Sequence, residues 1–406
     1  MRKKINISLV LAFILFLTCF APGSSAKTAK IVGLGHNFVT LDGTAALYAN
    51  PALVDPDDDV FTLEVGGQAS IWNNGLPSSY FNKYLDEELK NDILNTIGDD
   101  GLLLKISGNQ KAHMIIKNVG LFAGFREDGI STISSDIIDL ILNGNKLDEP
   151  HNLDGTHGSA GIYLDTGFNL SFKVDYIADK LNWEEFRIGG TYHYLYGAFG
   201  KVEASGDLLV NCEDGPGVES DGVFELKYPR GGGKGFALDF GLAGKINDKL
   251  QVGFSLMNLG SITGIDPYYS EYTYTYDSET GEGDFEEVSD KPLTGDLVYK
   301  LPLTVNLGAS YQWKDWITFY GDYSHINYDT GESEHKFAGS TEISYPWFLP
   351  LRFGVNYSTL QKDLIFSSGL GIYLGPFQID AGFSDLGALF NNSKSLDMGV
   401  DVRLAF

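Results

Sequence analysis

Cysteine is almost missing from this chain: of 406 residues only Cys19 and Cys212 are cysteines. Cys19 falls in an N-terminal apolar segment, so an intramolecular disulfide is excluded and the fold must rest on hydrogen bonding and packing. Positive charge is also scarce, with 29 Lys and Arg against 54 Asp and Glu, for a formal charge of -25. Such a balance excludes nucleic acid as a partner, because phosphates need a basic surface. Long apolar runs are absent beyond the first 26 residues. No later stretch approaches the ~20 residues of a transmembrane helix, which excludes a helical membrane protein.

Glycine and aromatics, by contrast, are plentiful, with 49 Gly, 26 Phe and 22 Tyr at a nearly neutral mean hydropathy of -0.08. Strands with one lipid-facing and one polar face produce this composition. At the N-terminus Arg2, Lys3 and Lys4 precede an apolar run from Ile7 to Phe20, and Ser24-Ser25-Ala26 offers a small-residue cleavage site. This predicts a secretory signal peptide over 1–26 and a mature chain from Lys27. Thr18 stands where a lipid-attachment signal before Cys19 would need a smaller residue.

The last residues, LDMGVDVRLAF, alternate strictly. Leu396, Met398, Val400, Val402, Leu404 and Phe406 share one strand face, and Asp397, Gly399, Asp401, Arg403 and Ala405 the other. Period two recurs from Leu301 to Gln312, from Leu250 to Leu256, from Leu351 to Ser358 and from Phe377 to Ser384. Several of these runs are about the 9–11 residues that a tilted strand needs to cross a bilayer.

Connections in this half nearly alternate between short and long, with Leu360 to Leu364 intermediate. Asn247-Asp248, Lys314-Asp315, Tyr345 to Pro350 and Gly375-Pro376 are short, whereas Gly260 to Asp296, Ile326 to Lys336 and Asp385 to Lys394 are long. Outer-membrane barrels have this asymmetry between their two rims, and Trp313, Trp316, Tyr345 and Trp347 stand where an interfacial aromatic girdle belongs. A soluble sandwich explains neither the turn asymmetry nor the terminal Phe406. Further strands are expected near Val60–Ser70, Val119–Glu127, Ala160–Val174, Phe186–Phe199, Val202–Asn211, Gly222–Tyr228 and Phe236–Lys245. The fold class is therefore all-β, a transmembrane antiparallel β-barrel of about 14 strands.

Two stretches read as helices instead. From Tyr80 to Ile97 the residues Phe81, Leu85, Leu89, Ile93 and Ile97 form one stripe, and Thr132 to Asn143 is followed by Gly144 as a cap. These insertions near 80–97 and 132–143 have no place in a barrel wall. The sequence leaves their side of the membrane open.

Catalytic and metal motifs are not assembled. Asp55-Pro56-Asp57-Asp58-Asp59 has Val60 where a calcium loop needs Gly, and reads as a solvated acidic turn. The Gly-rich run Tyr228 to Gly235 has Gly after Lys234 instead of Ser or Thr, and reads as a hairpin turn. His151 and His157 flank Asp154 at a spacing that makes a weak metal motif, and no serine elbow of the G-x-S-x-G form occurs. No enzyme, cofactor or metal is expected. The stretch from Gly260 to Asp296 holds ten acids, one Lys and five Tyr, and reads as an acidic surface loop.

The segments Gly33-Leu34-Gly35 and Gly43-Thr44-Ala45-Ala46-Leu47-Tyr48-Ala49-Asn50-Pro51-Ala52-Leu53 carry a resemblance. A run of small residues ending in an aromatic and Asn-Pro-Ala resembles the N-terminal hatch of the long-chain fatty-acid transporter family and of the porin-like accessory barrels of secretion systems. The strand pair GFALDFGLAGKINDKLQVGFSLMNLGSITG is similar to one in uncharacterised barrels of this wider group. One departure is Leu53, where the family usually has Gly.

The resemblance implies a hatch over 27–59, with Gly43, Thr44, Ala45, Leu47, Tyr48, Asn50, Pro51 and Ala52 as hatch or gating residues, inside a barrel over 60–406. A helix opening at Asp42 or Thr44 and stopped by Asn50-Pro51 suits such a plug, since the residue before Pro avoids the α region. Gating and mere stabilisation stay open as its role. It further implies the bacterial outer membrane, with passive uptake or passage of a small hydrophobic ligand, or alternatively a non-conducting barrel that docks envelope or secretion proteins. Tyr373, Val402, Leu404 and Phe406 are expected to carry the signal read by the barrel-assembly machinery, with outer-membrane lipid as the other partner. The alternation turns Asp380, Asp397, Asp401, Arg403 and Arg352 toward a lumen, as a selective conduit or as a salt-bridge lattice.

Overall fold

The computed structural model describes residues 27–54, 61–144, 149–211, 217–220, 222–277, 282–387 and 393–406. The expected signal peptide, the acidic turn at Asp55 to Asp59 and Cys212 lie outside the described residues.

The wall is a closed antiparallel barrel of 14 strands. Its first half comprises β1 (Phe61–Asn73), β2 (Leu102–Ile116) and β3 (Val119–Ile133). After the short β4 (His151–Asn152) it continues with β5 (His157–Lys173) and β6 (Glu185–Ser205). The outlying β7 (Asp207–Asn211), β8 (Gly217–Ser220) and β9 (Val223–Pro229) intervene before β10 (Gly233–Asn247) and β11 (Leu250–Gly264). A second excursion through β12 (Pro267–Asp277), β13 (Glu282–Pro292) and β14 (Val298–Lys300) returns to β15 (Leu303–Lys314), β16 (Ile317–Asn327) and β17 (Ser333–Ile343). The wall finishes with β18 (Leu351–Ser358), β19 (Asp363–Leu374), β20 (Phe377–Ser384) and β21 (Ser395–Ala405). Closure comes from β21 pairing with β1, Val65 opposite Val402 and Gly67 opposite Val400.

Alternation decides which way each side chain points. Val65 and Val400 on the closing pair are 50% and 55% exposed outward, while Glu64, Gln68, Asp397 and Asp401 on the same strands are buried inward. The outward belt is mainly apolar, and closure leaves the wall without an edge, as a bilayer requires. Trp313, Trp316, Tyr345 and Trp347 lie exposed beside short turns on the Phe406 rim, with the rings of Trp316 and Tyr345 tilted at 49° and 5.8 Å apart.

Long connections leave from the opposite rim and carry α2 (Glu87–Ile97) and α3 (Ser135–Asn143), after the N-terminal α1 (Ala29–Leu34). The first insertion is shorter than its stripe predicts. A separate 3-10 turn covers Ser78–Asn82, and Asp86, whose side chain accepts from Leu89 N, starts the helix only afterwards. Leu89, Ile93 and Ile97 are buried against Leu102, Ile133 and Ile138, whereas Leu85 is exposed. Each such buried Leu or Ile contributes about 1.5–3 kcal/mol. The second helix begins at Ser135 because Ser134 caps it.

Several stretches depart from the sequence reading. Strand β2 escapes the alternation pattern because Gly108, Gln110 and Ala112 occupy outward positions that a strand usually fills with large apolar residues. The stretches expected as strands at Val202–Asn211 and Gly222–Tyr228 are not separate wall strands: the former begins as the end of β6 and breaks at Gly206, with φ of 87°. The Gly-rich run after Tyr228 is no hairpin turn either. Both β9 and β10 pair with β6, so Arg230 to Gly232 is a bulge in one broken strand. Likewise β12 continues β11 past Ile265 and Asp266, so the acidic stretch extends the wall as an arm of β6, β9, β12 and β13 instead of forming an irregular loop. A fourth helix, α4 (Asp175–Leu181), joins β5 to β6 on the Phe406 rim; nothing in the pattern announces it.

Candidate functional site

Inside the wall lies the segment 27–54, which is short of regular structure and long on small residues. Thr28 caps α1 through a 3.3 Å bond from Ile31 N, and Gly35, at φ of 80°, ends it by donating to the carbonyls of Ile31 and Val32. Gly43–Tyr48 and Pro51–Leu53 are 3-10 turns, not one helix, so the expected hatch helix is tighter than an α-helix and Asp42 makes no side-chain cap.

A buried segment without ladders leaves its carbonyls to be satisfied elsewhere. The wall does this with side chains. Ser340 Oγ donates to Leu34 O at 2.6 Å, Asn356 Nδ2 to Gly35 O at 3.0 Å, and Ser255 Oγ to Ala49 O at 2.6 Å. Asn169 Nδ2 reaches Pro51 O at 3.2 Å, and Ser171 Oγ reaches Ala52 O at 2.9 Å. In the other direction Val39 N donates to Asp322 Oδ2 at 2.7 Å. Asn50 knots the hatch together: its Nδ2 donates to Val39 O and to Leu242 O of β10, and its Oδ1 accepts from Ala52 N. Wall glycines make the room. A Cβ on Gly354 would lie 1.9 Å from Leu34 O, and one on Gly382 2.2 Å from Ala29 O.

Of the sequence-predicted hatch residues, Thr44, Ala45, Leu47, Asn50, Pro51 and Ala52 are buried. Thr44 donates to Glu64 Oε2 at 2.5 Å, and Tyr48 meets His113 Nε2 at 2.5 Å. Gly43, at φ of 62°, lies beside Arg403.

The expected lumen residues come together around the hatch. Arg352, fully buried, donates to Glu342 and Asp380 at 2.5 Å each and to Tyr373 OH at 2.7 Å. Arg403 reaches Gln378, and Asp401 accepts from Ala29 N. Asp397 accepts from Lys27 and Gln68. Tyr373, grouped above with the assembly signal, turns its hydroxyl into this lumen cluster, whereas Val402 and Leu404 face outward and Phe406 closes onto Phe61. A second cluster eluded sequence reasoning: His193 sits between Asp165 and Asp239 at 2.9 Å each, and Arg126 bridges Asp165 to Asn258. Its only sequence signal is inward register on strands whose pairing the sequence does not show.

The remaining candidates stay apart. His157 bonds Glu332 at 2.9 Å, Asp154 accepts from Gly206 N, and His151 is buried in β4. Among the described residues no group of three or more metal-type ligands gathers.

The architecture is that of a closed outer-membrane-type barrel enclosing its N-terminal segment, and comparison places the fold among bacterial outer-membrane transport barrels. The toluene transporter TbuX of Ralstonia pickettii superposes with a TM-score of 0.53 at 15% identity, over 94% of this chain and 97% of its own. The CymD monoaromatic hydrocarbon channel gives 0.55 at 12%, over 94% and 98%. A Pseudomonas aeruginosa FadL homologue gives 0.51 at 13%, over 94% and 98%. A family model described as a family of unknown function, DUF5723, matches residues 200–383. No curated protein sequence matches the chain.

Proposed function

We propose that this chain is a plugged conduit of the bacterial outer membrane that passes small molecules passively, with residues 27–54 as its movable gate. The observation that carries this reading is how the plug is held. Its backbone is satisfied mainly by single hydroxyl and amide groups of the wall, each worth about 0.5–1.5 kcal/mol net, while the wall closes without it. A plug fixed this way can shift in parts. The neighbours described as a toluene transporter and a hydrocarbon channel support passage, including that of apolar cargo. Val402, Leu404 and Phe406 act in this reading as the signal for the barrel-assembly machinery.

The test is single-channel conductance of the purified protein beside a variant lacking Gly33 to Pro56, with both confirmed as heat-modifiable barrels. Stable conductance from the deletion variant and near silence from the intact chain is the expected result. Silence from both sinks the conduit. A second reading, a non-conducting barrel that docks envelope proteins, draws on the arm of β9, β12 and β13 beyond the membrane.

A further inference from the structure

Between the Gly35 to Asn37 turn of the hatch and a layer containing Trp72 and Ile326, the lumen keeps a space of about 80 Å³. Room on this scale holds several waters or a small solute's polar head. Its charge runs against that of the chain. Lys27, Lys105 and Lys336 line it, and Asp397 is the carboxylate among its lining residues. Lys27 pairs with Asp397, while Lys105 and Lys336 share Glu334 at 3.4 and 3.2 Å. Three ammonium groups thus divide two carboxylates, a local positive surplus inside a chain of formal charge -25. Low-dielectric walls focus such a field.

The uncharged lining is equally specific in chemistry. Ser107, Asn306, Ser324 and Asn356 face the space, and two acceptors beside it, Asn37 Oδ1 and Gln361 Oε1, are buried without a hydrogen-bond partner among the described residues. A hydrocarbon placed here strips water from the ammonium groups and returns no hydrogen bond.

We propose that this chamber binds a small hydroxylated carboxylate, with Lys105 and Lys336 taking the carboxylate and the amide oxygens of Asn37 and Gln361 accepting from its hydroxyls. The site adds a polar cargo class to the conduit proposed above and rests on that reading for passage, though not for occupancy.

The experiment is calorimetric titration of the intact detergent-solubilised protein with sodium lactate at low ionic strength, alongside Lys336→Gln and Glu334→Gln. A charge-assisted bond of about 1.5–3 kcal/mol predicts at least about tenfold weaker binding for K336Q. E334Q frees both lysines and is expected to bind more tightly; general damage to the fold would weaken both variants alike. No saturable lactate binding, equal affinity in K336Q, weakening in both variants, or tighter binding of inorganic phosphate than of lactate overturns the assignment. Lactate entry into proteoliposomes separates the two proposals. Entry that ignores K336Q overturns the chamber and keeps the conduit, while saturable binding without entry keeps the chamber and overturns the conduit.

Discussion

Gly33 of the hatch and Gly369 of β19 meet backbone to backbone: a methyl group added to either would stand 2.7 Å from the Cα of the other. Gly369 pairs with Gly382 of β20, and Gly382 with Gly399 of β21, so the contact belongs to a row of side-chain-free positions on which α1 rests. Gly369→Val should push α1 off the wall at a cost of about 1–3 kcal/mol in hatch docking, the usual range for overpacking. The check is faster amide exchange across Ala29–Leu34 in a protein that still migrates as a folded barrel.

Asn50 makes bonds that no aliphatic side chain can replace. Asn50→Ala leaves the carbonyls of Val39 and Leu242 short of a donor, and each orphaned buried group costs about 1–3 kcal/mol. Exchange should rise from Val39 to Leu53 while β10 stays protected; unchanged exchange in the hatch would remove Asn50 from its anchoring role.

His193 separates two carboxylates in the lumen wall. Removing its imidazole with His193→Leu leaves Asp165 facing Asp239, although Arg126 still reaches Asp165. Breaking one partner out of a buried ionic cluster typically costs about 3–5 kcal/mol. Guanidinium unfolding in lipid vesicles should show a lower midpoint for H193L than for the milder His193→Gln.

Val400 faces lipid between Gly67 and Ala381. Val400→Arg should lose about 2–4 kcal/mol if the position lies near the bilayer midplane, and less toward either interface. Reversible unfolding in vesicles measures this directly, and a neutral result would place the bilayer elsewhere on the wall.

In the arm beyond the membrane, a hydrogen bond from Lys227 and then one from Tyr269 hold the Glu225 carboxyl below its ordinary value. A carboxyl depressed on folding stabilises at pH above its unfolded value, and that contribution is lost as pH falls through the folded value. Glu225 is half-buried near the surface, where solvent screens the pair, so the effect is small and local. Exchange protection of β9 and β12 should fall on acidification into that window, and Glu225→Gln should flatten the response.

Strand alternation was legible wherever outward positions carried large apolar residues, as in β15 and β21, and faint where glycine, glutamine and alanine took their place, as in β2. Asn50-Pro51 and the small residues around it mark the N-terminal segment that the wall encloses, yet nothing marks its anchors. Ser171, Ser255, Ser340 and Asn356 are unremarkable in the sequence and acquire a role only by standing opposite hatch carbonyls.

By itself the sequence determined the period-two strands of most of the wall and the face that most of their residues present, because side-chain direction in a strand follows from position alone. Which inward residues meet was decided by tertiary structure. His193 reaches Asp165 and Asp239 on the two wall strands flanking its own, and Arg352 reaches Glu342 on the paired strand and Asp380 two strands away. Register and ring closure set these encounters, and both depend on the pairing of all the strands together.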